Sequence, residues 1–350
     1  MASRRRIPLS EDQFLLAEVA QLYYVRDFTQ EQIAHRIGTS RSNVSRMLKE
    51  AREQGMVEVR IHSPLRTVPG LQEELVSRLG LRECLVLAAL DRDSHVFETT
   101  DTVTQVAALA ARYLQENITD GTTVGLGWGR SVHRVVHNRF FREKKDATVV
   151  QVMGSIGGSI PEFDGIATTA RLAEVFGASA HYLHAPMLVT DSAVKAGLLR
   201  DPHIRKTLEV SGDAETIVSS VGTPGREHGQ YLTGYLGDED LEYIREQGAV
   251  GDICGAYVAF DGSLVPLEMN ERSIAISSEQ LPRVPNRVGV SSGAEKPRAN
   301  IGAARSSLLN VLITDEDTAV RMLKILHDEG PSSADPRWRA EGGSRTAPTG

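Results

Sequence analysis

The chain has 350 residues, 41% of them hydrophobic and 24% charged, with a formal net charge of -7; this is the make-up of a globular protein with room for one small and one medium domain. No apolar run approaches the roughly 18 residues that a membrane-spanning helix needs, and the arginines of residues 1–8 precede no apolar stretch, so neither a membrane partner nor a secretory leader is expected. The two cysteines, Cys84 and Cys254, each stand alone in an apolar run, which predicts buried free thiols in a reducing, cytoplasmic compartment, with no metal site and no cofactor.

Charge is uneven along the chain. Residues 1–63 hold 10 Lys/Arg against 8 Asp/Glu, and the remainder holds 29 against 38. Any contact with nucleic acid therefore has to be local to the N-terminal segment, because an acidic remainder repels phosphates. A first helix is expected over 11–25, with Leu15, Leu16, Val19, Leu22 and Tyr23 at helical spacing. Thr29-Gln30-Glu31-Gln32 then reads as a capping box that starts a helix over 30–37, with Ile33, Ala34 and Ile37 inward. Gly38-Thr39-Ser40 is a tight turn, and Ser40 caps a third helix over 41–54.

On that third helix Val44, Met47, Leu48 and Ala51 form one stripe. The opposite side carries Ser42, Ser45, Arg46 and Lys49, flanked by Arg41 and Asn43. Short polar groups and long cations at the start of a helix suit reading base edges and holding phosphates in the major groove of double-stranded DNA. A polar helix face by itself is usually just solvated. The layout of capped helix, short Gly turn and second helix is what makes this a helix-turn-helix, with Thr29, Gln30, Ser40, Arg41, Ser42, Asn43, Ser45, Arg46 and Lys49 as candidate DNA contacts. The alternating run 56–62 reads as a β-wing.

Residues 64–83 read as a linker followed by one amphipathic helix carrying Leu71, Leu75, Val76 and Leu79. Over 84–330, strand-like runs at 84–90, 122–126, 147–153, 179–184, 215–221, 253–260 and 308–313 alternate with helical patterns at 103–116, 131–140, 166–176, 192–209, 238–247 and 315–327. That rhythm predicts an α/β domain with a largely parallel, doubly covered sheet. The last 20 residues are dominated by Pro, Ser, Gly and Arg and read as a disordered tail, 331–350.

Four Gly-rich segments stand where loops should follow strands. Gly127-Trp128-Gly129-Arg130 follows the second run: glycines let backbone N–H groups approach an anion, and Arg130 can pair with a phosphate, although a plain structural turn reads the same way. The segment matches neither a P-loop nor a dinucleotide fingerprint. Gly154-Ser155-Ile156-Gly157-Gly158-Ser159 follows the third. In Gly248-Ala249-Val250-Gly251-Asp252-Ile253-Cys254-Gly255, Asp252 is placed either to accept sugar hydroxyls or to cap a turn. Gly289-Val290-Ser291-Ser292-Gly293-Ala294-Glu295-Lys296 ends in a lysine at a helix start, a second candidate anion contact. Ligands of open α/β sheets bind beyond the strand carboxyl ends, where such loops can converge.

Over about residues 10–328 the chain resembles the SorC family of bacterial sugar-responsive transcription regulators. The resemblance is carried by the helix-turn-helix, by Gly127-Trp128-Gly129-Arg130, by the Gly248 to Gly255 block, by Lys296 and by Leu312-Ile313-Thr314-Asp315-Glu316. It implies a Rossmann-like effector domain over 84–330, similar to ribose-5-phosphate isomerase and glucosamine-6-phosphate deaminase, and a phosphorylated sugar or polyol effector. It also implies a homo-oligomer, a tetramer, on a double-stranded DNA operator. The effector contacts it implies are Gly129, Arg130, Gly157, Gly158, Asp252 and Lys296, to which Gly127 and Trp128 of the same loop are added. The family's aromatic-rich run and arginine after the Gly255 block are replaced here by Ala256-Tyr257-Val258-Ala259-Phe260. The Gln151-Val152-Met153-Gly154 stretch lacks a lysine, so no covalent imine is expected there.

The alternative reading is a sugar-phosphate isomerase or deaminase with an accessory DNA-binding head. Against it, the sequence pairs no general acid and base beside the anion loops. His133 and His137 read as a helix surface. A structural dimer with DNA affinity and no ligand leaves the Gly-rich loops without a use.

Overall fold

The computed structural model describes residues 11–58, 65–89, 101–157 and 164–329. The chain divides into two compact units at Ser63/Pro64. The first contains α1 (Glu11–Tyr24), α2 (Gln30–Ile37) and α3 (Arg41–Glu53). Its core is Leu16, Val19, Ala20 and Leu22 from α1, Ile33 and Ala34 from α2, and Val44, Met47, Leu48 and Ala51 from α3. One expected core residue turns out: Leu15 is 38% exposed, and Ala20 takes the inward position instead, because the inward face of α1 runs through 16, 19, 20 and 22. No strand forms at residues 56–58, and the rest of the expected wing lies outside the described residues.

In the second unit α4 (Pro69–Leu79) is followed by β1 (Glu83–Leu87), α5 (Thr102–Asn117), β2 (Thr123–Leu126), α6 (Arg130–Val136), β3 (Thr148–Gln151), α7 (Gly165–Phe176), β4 (Ser179–His181), α8 (Ser192–Leu198), α9 (Pro202–Gly212), β5 (Thr216–Ser220), α10 (Gly229–Leu232), α11 (Asp238–Glu246), β6 (Ala249–Ile253), β7 (Ala256–Ala259), β8 (Asn286–Val290), α12 (Pro297–Arg305), β9 (Val311–Asp315) and α13 (Glu316–Asp328). Seven strands form one parallel sheet in the order β1-β9-β8-β5-β2-β3-β4. Alternate residues of one strand serve opposite faces: on β9, Leu312 packs with α4, α12 and α13, while Val311 and Ile313 pack with α5 and the other face. Continuous apolar strands are what a sheet covered on both sides requires. The α4 helix, expected at the end of a linker, is part of this packing through Leu75 and Leu79. No described helix is long and apolar enough to cross a membrane.

Three expectations change. The run 253–260 is not one strand: β6 and β7 make an antiparallel hairpin outside the main sheet. Cys254 and Gly255 turn it with φ of 50° and 79°, the double left-handed conformation that matches strand twist in a two-residue turn. The helix over 192–209 is two helices, because Pro202 has no N–H to continue the first and Asp201 caps the second through the N–H of His203 at 2.8 Å. The helix over 131–140 ends at Val136, and the Asn138 side chain accepts from the Phe140 N–H at 3.2 Å, a local turn that competes with helix. The 331–350 tail lies outside the described residues.

Sheet order locates the site. From β2 the chain steps outward to β3 and β4, then returns to β5 on the other side of β2 and proceeds to β8 and β9. Direction reverses between β2 and β5, so the loops at their carboxyl ends part and leave a crevice.

Candidate functional site

A cavity of about 450 Å³ opens at that reversal. It is walled by the loop after β2 (Trp128, Gly129, Arg130), by the end of β5 and its loop (Ser219 to Thr223), by the segment from Glu227 to Thr233, by Asp252 and Cys254 of the hairpin, and by Ser292 to Lys296 beyond β8. Segments from distant parts of the sequence thus converge on one crevice. Of the effector candidates, Trp128, Gly129, Arg130, Asp252 and Lys296 line it. Gly127 does not: it sits against Ser219, where it lets the β2 loop run close to β5. Gly157 is exposed and does not line the cavity, although the adjacent Ile156 does, and Gly158 lies outside the described residues.

Asp252 is buried and held through both carboxylate oxygens. Its Oδ1 accepts from Nε2 of His228 at 2.8 Å, and its Oδ2 accepts from the Gly255 N–H at 3.2 Å. His228 Nδ1 in turn accepts from the Gln230 N–H at 3.3 Å, which leaves the proton on Nε2 and points it at the carboxylate. Both side chains are below 10% exposed. Gly222 pairs with Asp252 backbone to backbone, and a methyl group there would collide with the Asp252 carboxylate; only glycine lets β5 and the hairpin approach this closely.

Lys296 stands at the start of α12, with its Nζ donating to Val221 O at 3.0 Å and lying 3.9 Å from Glu295. Burial holds its ammonium below the ordinary lysine value, with the Glu295 and Asp252 carboxylates pulling the other way. Its loop is held from below. Asp315, the cap of α13, accepts from the Thr318 N–H and hydroxyl, and Thr318 Oγ1 accepts from the Gly293 N–H at 3.0 Å. The Leu312 to Glu316 block therefore supports the lysine loop without touching the cavity.

Trp128 forms an apolar wall, its Nε1 donating to Gly154 O at 3.1 Å, and Gly229 lies so close to its ring that a side chain there would clash. Cys254 is also at the wall, but burial first and the nearby Asp252 charge second push its thiol up to about 12, so it is a neutral hydrophobic group and not a nucleophile. Cys84 is buried as well. His133 sits on α6 and His137 caps its end, and neither lines the cavity.

Besides Asp101 and Arg134, which also line the cavity, reading the sequence missed Glu227 and His228. They follow β5 in the stretch Gly225-Arg226-Glu227-His228-Gly229, and the Gly-x-x-x-Gly spacing after a strand was their one visible signal. Asp252 and His228, 24 positions apart, form a buried carboxylate–imidazole pair that the sequence did not show.

In the first unit, Arg41, Ser42, Ser45, Arg46 and Lys49 are exposed. Asn43 is half-buried, with Nδ2 donating to Thr39 Oγ1 at 2.8 Å and Oδ1 accepting from Arg46 at 2.6 Å; it orients the arginine. Lys49 has a loose exposed partner, Glu53 at 3.7 Å. Thr29 and Ser40 serve as caps: Thr29 Oγ1 accepts from the Gln32 N–H while Gln32 reaches back to the Thr29 N–H, and Ser40 Oγ accepts from the Asn43 N–H at 3.2 Å. Gln30 begins α2 beside them. Gly38 takes φ of 69° between the two helices, the left-handed conformation that a glycine adopts at little cost.

The Sugar-bind family model, describing a sugar-binding domain, matches residues 64–324, and a Crp-like helix-turn-helix model matches residues 13–74. The chain is 31% identical over 309 residues to the deoxyribonucleoside regulator of Bacillus subtilis, covering 88% of this chain and 97% of that one. It is 27% identical to the sorbitol operon regulator of Klebsiella pneumoniae over 90% of this chain and 99% of that one. The crystal structure of the full-length sorbitol operon regulator SorC from Klebsiella pneumoniae superimposes with a TM-score of 0.70 at 26% identity, covering 90% of this chain and all of that one.

Proposed function

The chain belongs to the SorC family of sugar-binding transcription regulators, and from that premise we propose that it binds a double-stranded DNA operator through α2 and α3 and adjusts that binding to a sugar-type effector held at the β2/β5 crevice. The observation that carries this reading is the crevice itself. Oriented polar groups, the Asp252–His228 pair and Lys296, line it together with an apolar side chain, Trp128. Carboxylate acceptors and ammonium donors suit hydroxyls, and an aromatic face suits the C–H side of a sugar ring. Arg130, half exposed at the rim, is the group that a phosphate would reach.

The finer parts belong to the same proposal. The effector is a phosphorylated sugar or polyol, with its phosphate at Arg130 and hydroxyls at Asp252 and Lys296. Arg46 and Arg41 read bases or hold phosphates beside Ser42, Ser45 and Lys49. Residues 1–63 are the DNA-binding domain, the remainder to about 330 the effector domain, and the working form is a homo-oligomer, a tetramer, in the cytoplasm. The regulator reading is preferred over an enzyme because both ring nitrogens of His228 are engaged, one with Asp252 and one with Gln230, which leaves neither to move a substrate proton.

The test is operator binding by the full chain in the presence of a panel of free and phosphorylated pentoses, hexoses and polyols. At least one compound should shift operator affinity and raise the melting temperature of the chain. Turnover of any phosphorylated compound without effect on DNA would overturn the reading in favour of the enzyme.

A further inference from the structure

Among the described residues, each cation that lines the crevice has a carboxylate beside it. Three such cations, Arg130, Arg134 and Lys296, accompany four carboxylates, Asp101, Glu227, Asp252 and Glu295. Arg130 lies 3.2 Å from Glu227, Arg134 3.4 Å from Asp101, and Lys296 3.9 Å from Glu295. A phosphate entering this space meets a slightly acidic lining among the described residues and competes with a carboxylate for each cation.

The three carboxylate partners differ in how firmly they are held. Asp101 is anchored, since it also caps α5 through the Thr104 N–H at 2.8 Å. Glu295 lies 3.9 Å from Lys296, a cation only 17% exposed that also donates to the Val221 carbonyl, so withdrawing this carboxylate bares no accessible charge. Glu227 is different: among the described residues its carboxylate makes a single hydrogen bond, to Arg130, and the side chain is 67% exposed. Its backbone, by contrast, is pinned by the next two residues, His228 to Asp252 and Gly229 against Trp128. The carboxylate is thus delivered to the rim by a fixed main chain and is free to swing off by rotating its own side chain.

We propose that Glu227 is a tethered counter-anion that sets the preference of the crevice between neutral and anionic sugars: it holds the Arg130 guanidinium, and the anionic end of an effector binds there by displacing it. This rests on the reading above that an anionic group docks at Arg130. An exposed ion pair is weak, so displacement costs little, but it is a tax that only anionic ligands meet, and like charge at short range adds to it. A neutral sugar leaves the pair in place.

The experiment measures the affinity of the full chain for inorganic phosphate, D-ribose 5-phosphate and D-ribose by calorimetry, in the parent, in Glu227→Gln and in Arg130→Gln. Glu227→Gln should bind both phosphate probes about three- to tenfold more tightly at low salt. The gain should shrink as ionic strength rises through ~0.15 M, and D-ribose should show no such gain; a substitution that merely loosened the segment would tighten nothing. If Glu227→Gln and the parent bind the phosphate probes equally while Arg130→Gln loses them, the anion site stands and the counter-anion role is wrong. If the phosphate probes bind none of the three chains, or bind Arg130→Gln as well as the parent, the placement of the anion falls and the role of Glu227 falls with it. A gain of the same size for D-ribose would also overturn it.

Discussion

Lys296 shows how burial gives one side chain a measurable signature. Its folded value is depressed because the ammonium has lost water. The unfolded chain therefore holds that proton more tightly than the folded chain does, and this group makes stability rise as pH increases through the depressed value toward that of an ordinary lysine. At the proposed site ligand binding should run the opposite way, because a charged ammonium is a stronger donor to hydroxyl and phosphate oxygens than a neutral amine. Effector affinity should fall on the alkaline side, beginning below the ordinary lysine value, and Lys296→Arg should flatten that fall because a guanidinium stays charged; a titration series from neutral to alkaline pH reads it. At the DNA end, Arg46→Ala and Lys49→Ala should each lower the slope of log affinity against log salt by about 1 if the residue meets a phosphate. If Arg46 instead reads a base, its loss should cost about 1–3 kcal/mol on the cognate operator and relax specificity at one position. Both side chains lie outside the core of the unit, so the circular dichroism of the variants should match the parent, and unchanged operator binding would remove these residues from the interface.

At the level of elements, caps decide how the recognition helix is held. Ser40 Oγ satisfies the Asn43 N–H, and Asn43 in turn holds Arg46 and Thr39, so a single hydroxyl anchors a chain of three side chains along the first turn of α3. Ser40→Ala should destabilise the helical unit by about 1 kcal/mol, and Ser40→Asp should restore the cap while adding a negative charge that weakens DNA binding. Thermal melts paired with operator titrations separate the two effects: if Ser40→Asp binds DNA as well as the parent, Ser40 does not face the phosphates. In the second unit the same logic explains why a conspicuous sequence block can be distant from ligand. Asp315 and Thr318 carry the Gly293 loop, and that loop carries Lys296.

For the whole molecule, regulation is a statement about free energy shared by two sites. If an effector changes operator affinity by some factor, the operator must change effector affinity by the same factor, typically 5–150-fold. Titrating a phosphorylated sugar with and without saturating operator DNA checks this closure. A shift in one direction with none in the other would mean that the DNA effect arises elsewhere, for example from a change in assembly. The parallel sheet suits the effector half of this arrangement: its reversal between β2 and β5 opens a crevice among loops, while two apolar layers keep the strands beneath it rigid.

The order of elements, the alternation of strand and helix, the capped helix pair around Gly38 and the Gly-rich loops were legible in the sequence, because each is set by interactions a few residues long: caps, turn conformations and the period of apolar side chains. Trp128, Arg130, Asp252 and Lys296 were readable for the same reason, as unusual residues in short glycine contexts. The partners of those residues were not. His228 meets Asp252, Glu227 meets Arg130 and Val221 meets Lys296 only because the strand order places β2, β5 and β8 side by side and folds the β6–β7 hairpin over their ends. Local chemistry fixes what a segment can become, but which charges neutralise one another is decided by distance in space, and that is set only when the sheet closes its long-range order.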